Sequence, residues 1–175
     1  MGFIKGYDPE NLREVVDPVE CEARLDEIEQ QRSLPALLER VWLLKVLGRL
    51  DEALALADET VRQVRMAGTR KDLLRARILR ATVLQFQGAY AAADQELATC
   101  VDEAEGQGWV AIAAFAHQHH GKTALESGDF DQARESFKRT LFLRREAGAD
   151  DAALESALLA IEAVERLRGL ALVAG

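Results

Sequence analysis

A helix-breaking glycine returns in this chain at fixed intervals, and this spacing is the strongest constraint on the fold. Gly48, Gly88 and Gly128 stand 40 residues apart, and the segments that begin at them read GRLDEA, GAYAAA and GDFDQA. Each glycine ends one helical stretch and opens a short turn into the next amphipathic one. A fixed period of about 20–50 residues is typical of proteins built from stacked repeats, which often present binding surfaces to other chains. We therefore expect a stacked-repeat protein that binds another chain.

The composition favours helix and argues against two classes of partner. Of the 175 residues, 49% are hydrophobic and 30% are charged, and only three are proline. Ala and Leu dominate, and these residues lose little free energy in a helix. The net charge of −8 argues against non-specific nucleic-acid binding, which needs clustered Lys and Arg. Because basic residues are interspersed with acids, an anionic membrane surface is not an expected partner either.

The N-terminus and the cysteines indicate a cytoplasmic protein. The first residues, MGFIKG, contain no secretory hydrophobic region, and no run of the sequence is long and apolar enough for a membrane span. Cys21 and Cys100 lie 79 residues apart, which is not a metal-binding spacing. We expect both thiols to be reduced and to pack in the core.

The sequence predicts an N-terminal arm followed by one helical domain. Residues 1–17 carry Gly2, Gly6 and Pro9 and no sustained period, so we predict an extended, partly mobile arm. Asp17 followed by Pro18 is typical of a helix start. The domain spans residues 18–175, with an N-terminal helix at 18–32, repeats at about 34–68, 72–108 and 109–148, and a truncated capping helix at 151–168.

Three positions around each glycine carry related side chains in the copies, with Val41 as a departure from a position for small residues. Seven residues before it the side chain is small or β-branched: Val41, Ala81 and Gly121. Five residues after it stands alanine: Ala53, Ala93 and Ala133. Two residues after it stands a large apolar side chain: Leu50, Tyr90 and Phe130. Small residues suit a close approach of two helices, and large ones fill the gap beside it.

This pattern resembles the tetratricopeptide repeat, in a form of forty residues rather than the usual length of about 34. The resemblance covers about residues 34–168, as three full repeats and one truncated one. It implies an all-α fold, an α-α superhelix or solenoid of antiparallel helix pairs, whose concave groove is lined by the first helix of each repeat. Carried over by spacing, the groove residues are Leu38, Trp42, Lys45, Arg75, Ile78, Thr82, Gln85, Phe115, Gln118, His119, Lys122 and Leu158.

The function that the resemblance implies is non-enzymatic binding of a protein or peptide in this groove. Apolar side chains of the partner would contact Trp42, Ile78 and Phe115, while Lys45, Arg75 and Lys122 would fix an acidic group. No cofactor is implied. Trp42 has a second interpretation, because a tryptophan on a helix often packs within the core or between repeats.

Two groups of polar residues have open interpretations. His117, His119 and His120 lie close in sequence, but no third ligand spacing accompanies them, so we expect packing and hydrogen bonds rather than a metal site. Eight residues before each turn glycine stand Arg40, Arg80 and His120. These three side chains either form a ladder with carboxylates along the helix pairs or widen the polar floor of the groove.

An enzyme is not expected, because the sequence has no serine elbow, Cys-His arrangement, P-loop or dinucleotide-binding loop. One alternative is a self-assembling scaffold that forms a homodimer, because a terminal repeat normally needs a polar cap and the last helix is apolar. Its self-association residues are Leu154, Leu158, Ile161, Val164 and Leu167. A peptide-sensing regulator is a further alternative, although 175 residues leave little room for an output domain.

Overall fold

The structure is a computed structural model that describes the backbone of residues 3–174 and the side chains of residues 3–173. This part of the chain is mainly helical, with one short hairpin at its start, and within each of its two compact units consecutive helices pack against each other. The elements are β1 (Ile4–Tyr7), β2 (Glu14–Val16), α1 (Pro18–Ile28), α2 (Leu34–Val46), α3 (Leu50–Ala67), α4 (Arg70–Phe86), α5 (Tyr90–Gly106), α6 (Val110–Ser127), α7 (Phe130–Glu146) and α8 (Asp151–Ala174).

The helix boundaries differ from the sequence-based ones at several ends, and α1 ends at Ile28 rather than at residue 32. Asp17 caps α1 as predicted, since its carboxylate accepts hydrogen bonds from the backbone N–H groups of Val19 and Glu20. Helix α4 begins two residues earlier than predicted, because Thr69 and Asp72 form a reciprocal capping box. Helix α8 continues to Ala174 instead of ending near residue 168, because Gly169 stays helical and does not terminate it.

The N-terminal arm is not merely extended, as predicted, but forms a β-hairpin. Strands β1 and β2 pair antiparallel, with Ile4 opposite Val16 and Tyr7 opposite Glu14. A loop joins them, in which the Asp8 N–H donates to the Arg13 carbonyl oxygen at 2.9 Å. Two strands of three and four residues bury too little apolar area to be stable in isolation, so the hairpin depends on the helices beneath it.

The turn glycines share one backbone conformation, which explains why glycine recurs at these positions of the sequence. Gly48, Gly88 and Gly128 have φ values of 77°, 78° and 85°, and Gly108 and Gly148 repeat the same left-handed corner at 65° and 66°. At each corner the glycine N–H donates to the carbonyl three residues back, and the next N–H donates to the carbonyl five residues back. This is the Schellman motif, which satisfies the last helical carbonyls and favours glycine.

The alanine position and the small position lie where paired helices meet. Ala53, Ala93 and Ala133 are all fully buried, and so are Val41 and Ala81. In the third copy the contact is closest, because a Cβ atom on Gly121 would lie 2.7 Å from Phe137 Cε1. The steric pattern inferred from the sequence is therefore present in the structure.

The described chain separates into two compact units. Among the described residues, unit 1 contains residues 3–8 and 13–89, and unit 2 contains residues 9–12 and 90–174. The core of unit 1 joins α1, α2 and α3 and includes Cys21, Ile28 and Val41. The core of unit 2 joins α6, α7 and α8 around Phe137 and Val164. Both cysteines are buried and unbridged, in agreement with the packing role expected for them.

Substitution of Gly121 tests the closest helix contact. Gly121→Ala pushes a methyl group against the Phe137 ring, so we expect the free energy of unfolding to fall by about 1–3 kcal/mol. The matched control is Gly169→Ala, because Gly169 is helical and exposed and has no atom within 4 Å of its Cβ position. This control should gain up to about 1 kcal/mol through helix propensity. Urea unfolding measures both, and a stabilising Gly121→Ala would contradict the packing described here.

Candidate functional site

In unit 1 the predicted groove residues lie on α2 and α4, two helices in direct contact. We call these residues the α2–α4 face: Leu38, Trp42, Lys45, Arg75, Ile78, Thr82 and Gln85. Lys45, Ile78, Thr82 and Gln85 are almost completely buried, whereas Arg75 is exposed. Leu38 and Trp42 are half-buried, and Trp42 packs on the core of unit 1. Trp42 therefore packs on the core and also keeps a partly accessible surface.

The N-terminal hairpin lies against the α2–α4 face. Lys45 Nζ is 3.5 Å from Glu14 Oε2 of β2, and the two side chains are only 1% and 9% exposed. Lys45 Nζ also lies 4.5 Å from the ring centroid of Phe86, at the end of α4. The Arg13 guanidinium carbon sits 4.3 Å from the same centroid. A carboxylate, two cations and an aromatic ring thus form one mixed charged and apolar cluster.

Apolar contacts hold the hairpin beside this cluster. Phe3 and Val16 are half-buried and pack against the core of unit 1, on the same cluster as Trp42. On β1 of the hairpin, Lys5 forms an ion pair with Glu20 of α1, with 2.9 Å between Lys5 Nζ and Glu20 Oε2. The residues that alternate with the inward ones, Tyr7 and Val15, are about half exposed. The hairpin therefore has an inner side that contacts the helices and an outer side in solvent.

In unit 2 four predicted groove residues form one side of α6, which we call the α6 face: Phe115, Gln118, His119 and Lys122. Gln118, His119 and Lys122 are buried, while Phe115 keeps 39% of its surface exposed. The rings of Phe115 and His119 meet edge to face, with centroids 4.6 Å apart. Gln118 Oε1 is buried and has no hydrogen-bond partner among residues 3–174. Such an acceptor is costly unless a ligand or solvent satisfies it.

The remaining histidines make hydrogen bonds to carboxylates of the preceding helix. His117 Nε2 lies 3.0 Å from Glu105 Oε1, and the same oxygen accepts a hydrogen bond from Arg139 Nε at 2.7 Å. Burial holds the pKa of His117 below its ordinary value, and Glu105 opposes this effect only in part. The Arg139 guanidinium, followed by His117, keeps the pKa of Glu105 below its ordinary value. His117 is therefore a neutral hydrogen-bond donor to an ionised carboxylate at neutral pH.

Three polar residues, Arg40, Arg80 and His120, stand eight positions before the turn glycines. Two of them make contacts that join neighbouring repeats. Arg80 on α4 is hydrogen-bonded to Asp58 on α3, and His120 Nε2 on α6 lies 2.8 Å from Asp94 Oδ1 on α5. In both cases the carboxylate belongs to the preceding helix. Arg40 differs, because its Nε is buried and has no hydrogen-bond partner in the described part of the chain. These contacts support the ladder interpretation for Arg80 and His120.

The predicted self-association residues divide into two sets in the structure. Val164 is fully buried, and Ile161 and Leu167 pack against the unit 2 core around Phe137, so these three side chains belong to the core of their own unit. Leu154 is half-buried. Leu158, which was assigned both to the groove and to self-association, is 43% exposed on α8. Only Leu158 keeps a large accessible apolar surface.

The sequence reasoning missed Glu14 and Phe86 as partners of Lys45, and Arg13 as a second cation on the Phe86 ring. A signal for the hairpin was present, since two short segments containing Ile4, Val15 and Val16 flank a turn with Pro9 and Asn11. The strands are too short for their alternation to stand out. The contact to α2 also spans 31 residues of sequence, which no local pattern reveals.

Comparisons with known proteins leave the function to be argued from the chain itself. No model of a protein family matches the chain, and a search of curated proteins finds no match. None of the helices within residues 3–174 combines the length and apolarity needed to cross a membrane. Among the described side chains, no three His, Cys, Asp or Glu residues converge as metal ligands.

His117 makes the stability of unit 2 depend on pH with a definite sign. Because its pKa is lowered by folding, the unfolded chain binds more protons as the pH falls through about 6.5. The free energy of unfolding should therefore decrease on acidification in this window, in which Glu105 stays ionised. We expect His117→Gln to lose less stability than the wild type between about pH 7.5 and 5.5, as measured by urea unfolding. Parallel pH profiles of the two proteins would contradict this assignment.

Proposed function

We propose that the protein is a non-enzymatic binding module of the tetratricopeptide type, which holds a protein or peptide segment against the first helices of its repeats. The observation that carries the proposal is the composition of the α6 face. There Gln118, His119 and Lys122 are buried on the same side of α6 as Phe115, an aromatic ring that is still 39% exposed. A helix that served packing alone would carry apolar residues at these positions.

The chemistry of the α6 face suits a peptide better than a small reactive substrate. Phe115 offers an apolar anchor, and its ring meets the ring of His119 edge to face. The unsatisfied Gln118 Oε1 offers an acceptor for a backbone or side-chain N–H group. An aromatic anchor surrounded by a few directed polar groups is the usual composition of an interaction hot spot.

The tetratricopeptide resemblance supports the same conclusion from a different direction. The five left-handed glycine corners and the buried alanine position are what stacked helix pairs of this type require. We propose that the pairs continue as a superhelix and that the α2–α4 face and the α6 face are its binding surfaces.

Phe115→Ala is the direct test of this function. Phe115 is partly exposed, so its truncation should cost little stability but should remove a hot spot, which corresponds to a loss of at least about fivefold in affinity. The matched control is Phe142→Ala, because Phe142 is 50% exposed on the second helix of its repeat. Quantitative affinity capture from the native cell extract compares the two variants with the wild type.

We expect a set of proteins that the wild type and Phe142→Ala retain equally and that Phe115→Ala loses. Melting temperatures of the three baits establish that each is folded. If Phe115→Ala retains every protein that Phe142→Ala retains, the α6 face is not the binding surface and the proposal fails.

A second candidate function is self-association through the end of α8. Four apolar side chains of α8 are at least half exposed, and the last three lie at its end: Leu159, Leu170, Leu172 and Val173. Leu172 also lines a shallow cleft of about 530 Å³ beside Gly128 and Phe130. Exposed apolar residues concentrated on a terminal element favour pairing with a second copy by two-fold symmetry.

Charge substitution at the end of α8 tests self-association without opening the core. Truncation of the whole helix is unsuitable, because Ala160 and Val164 complete the core of unit 2. The variant Leu170→Lys with Leu172→Lys keeps the helix and changes only exposed side chains. We expect sedimentation equilibrium to show a dimer for the wild type and a monomer for the variant. A monomeric wild type at about 100 μM would exclude this function.

A further inference from the structure

Helix α8 has an exposed face opposite its buried one. Ala157, Ala160 and Val164 are buried in unit 2. On the other side of the helix, six exposed residues follow each other at alternating intervals of four and three positions, and we call them the outer α8 face: Glu155, Leu159, Glu162, Arg166, Gly169 and Val173. Residues with this spacing lie on one side of a helix, in the pattern along which two helices pair. We propose that the outer α8 face packs antiparallel against the same face of a second copy of this chain. The proposal rests on the second candidate function and specifies its interface.

The charges of the outer α8 face are complementary to each other in one antiparallel arrangement. A two-fold axis at the level of Val164 brings residues that lie equally far before and after Val164 opposite each other in the two copies. Glu162 of one copy then lies opposite Arg166 of the second copy. Because the axis repeats this contact, two ion pairs flank it.

The sizes of the side chains match in the same arrangement. Leu159 lies opposite Gly169 of the second copy, where a Cβ atom would have nothing within 4 Å, so this position leaves room for a leucine. Beside this pair, Leu158 lies opposite Leu170, and the two side chains are 43% and 62% exposed in a single copy. Each copy therefore covers apolar surface that the other exposes, which is the main source of affinity between helices in water.

Other arrangements of two copies use this face less well. A parallel pair puts Glu162 opposite Glu162 and Arg166 opposite Arg166, and like charges in contact oppose association. An antiparallel pair shifted along the helix can bring Glu155 opposite Arg166. This shift leaves Glu162 opposite Leu159 and places Val173 beyond the start of the second α8. The arrangement about Val164 is the one that pairs all six positions.

Arg166 can take part in this contact beside its contact within unit 2. One of its terminal N–H groups donates to the carbonyl oxygen of Pro9, which belongs to the same unit. A guanidinium group has five N–H donors in a planar fork, so a carboxylate of the second copy can bind beside that carbonyl. Glu162 and Arg166 are both exposed in a single copy, so they lose solvent only when two copies meet. Ion pairs of this kind determine orientation and the choice of partner more than affinity.

The experiment exchanges the charges of the central pair in the full chain. Glu162→Arg and Arg166→Glu are made separately and studied by sedimentation equilibrium, each alone and as an equimolar mixture. Each variant alone places like charges opposite each other, so we expect its dimer dissociation constant to rise at least about tenfold. In the mixture each variant meets opposite charges on the other. We therefore expect a mixed dimer with a dissociation constant within about threefold of the wild type.

Glu155→Arg is the matched control, because it makes the same change of charge on the same face of α8. Glu155 lies opposite Val173 of the second copy in the proposed arrangement, so this variant should dimerise within about threefold of the wild type. In the shifted arrangement, by contrast, Glu155→Arg would disrupt the dimer. Melting curves followed by circular dichroism establish that every variant is folded.

The possible failures are distinguishable. A wild-type dimer that neither Glu162→Arg nor Arg166→Glu weakens would overturn the proposed arrangement and leave self-association through another surface standing. Two single variants that do not recover a dimer on mixing would also overturn it, and so would a dimer lost on Glu155→Arg. A monomeric wild type at about 100 μM would refute both the arrangement and self-association, while binding at the α6 face would stand.

Discussion

The close approach of paired helices is the contact on which the rest of this structure depends. Ala53, Ala93 and Ala133 are completely buried between their helices, and at Gly121 even a methyl group would meet the Phe137 ring. Small side chains let the two helices of a pair pack at close distance. The apolar residues of each helix therefore mainly contact the neighbouring helices. The first helices can then carry polar side chains such as Lys45 and Gln118 away from the seam. The candidate binding faces are therefore a consequence of how the pairs pack.

Most of the helical framework could be predicted from the sequence, because its signals are local. Gly48, Gly88 and Gly128 mark left-handed corners that other residues adopt only with strain, so their spacing reports directly on the chain path. Asp17 and Pro18 likewise specify a helix start by themselves. The end of α8 was predicted wrongly, because Gly169 keeps a helical backbone, whereas Gly48, Gly88 and Gly128 take the left-handed conformation.

The hairpin and the environment of Lys45 could not be predicted in the same way. Lys45 is buried because Glu14, 31 residues away, and the ring of Phe86 surround its ammonium group. Neither partner is specified by helical periodicity, and strands of three or four residues carry almost no pattern of their own. The resemblance placed Lys45 in a groove, but it carried no information about what covers that groove. Contacts between distant segments decide such points, and a local pattern does not encode them.

The overall charge of the chain limits how an acidic segment can be recognised. With a net charge of −8, the protein repels acidic partners at long range, so electrostatic steering cannot favour their approach. Recognition of a carboxylate must instead come from short-range contacts in a desolvated place, and Lys45, 1% exposed beside Phe86, provides one.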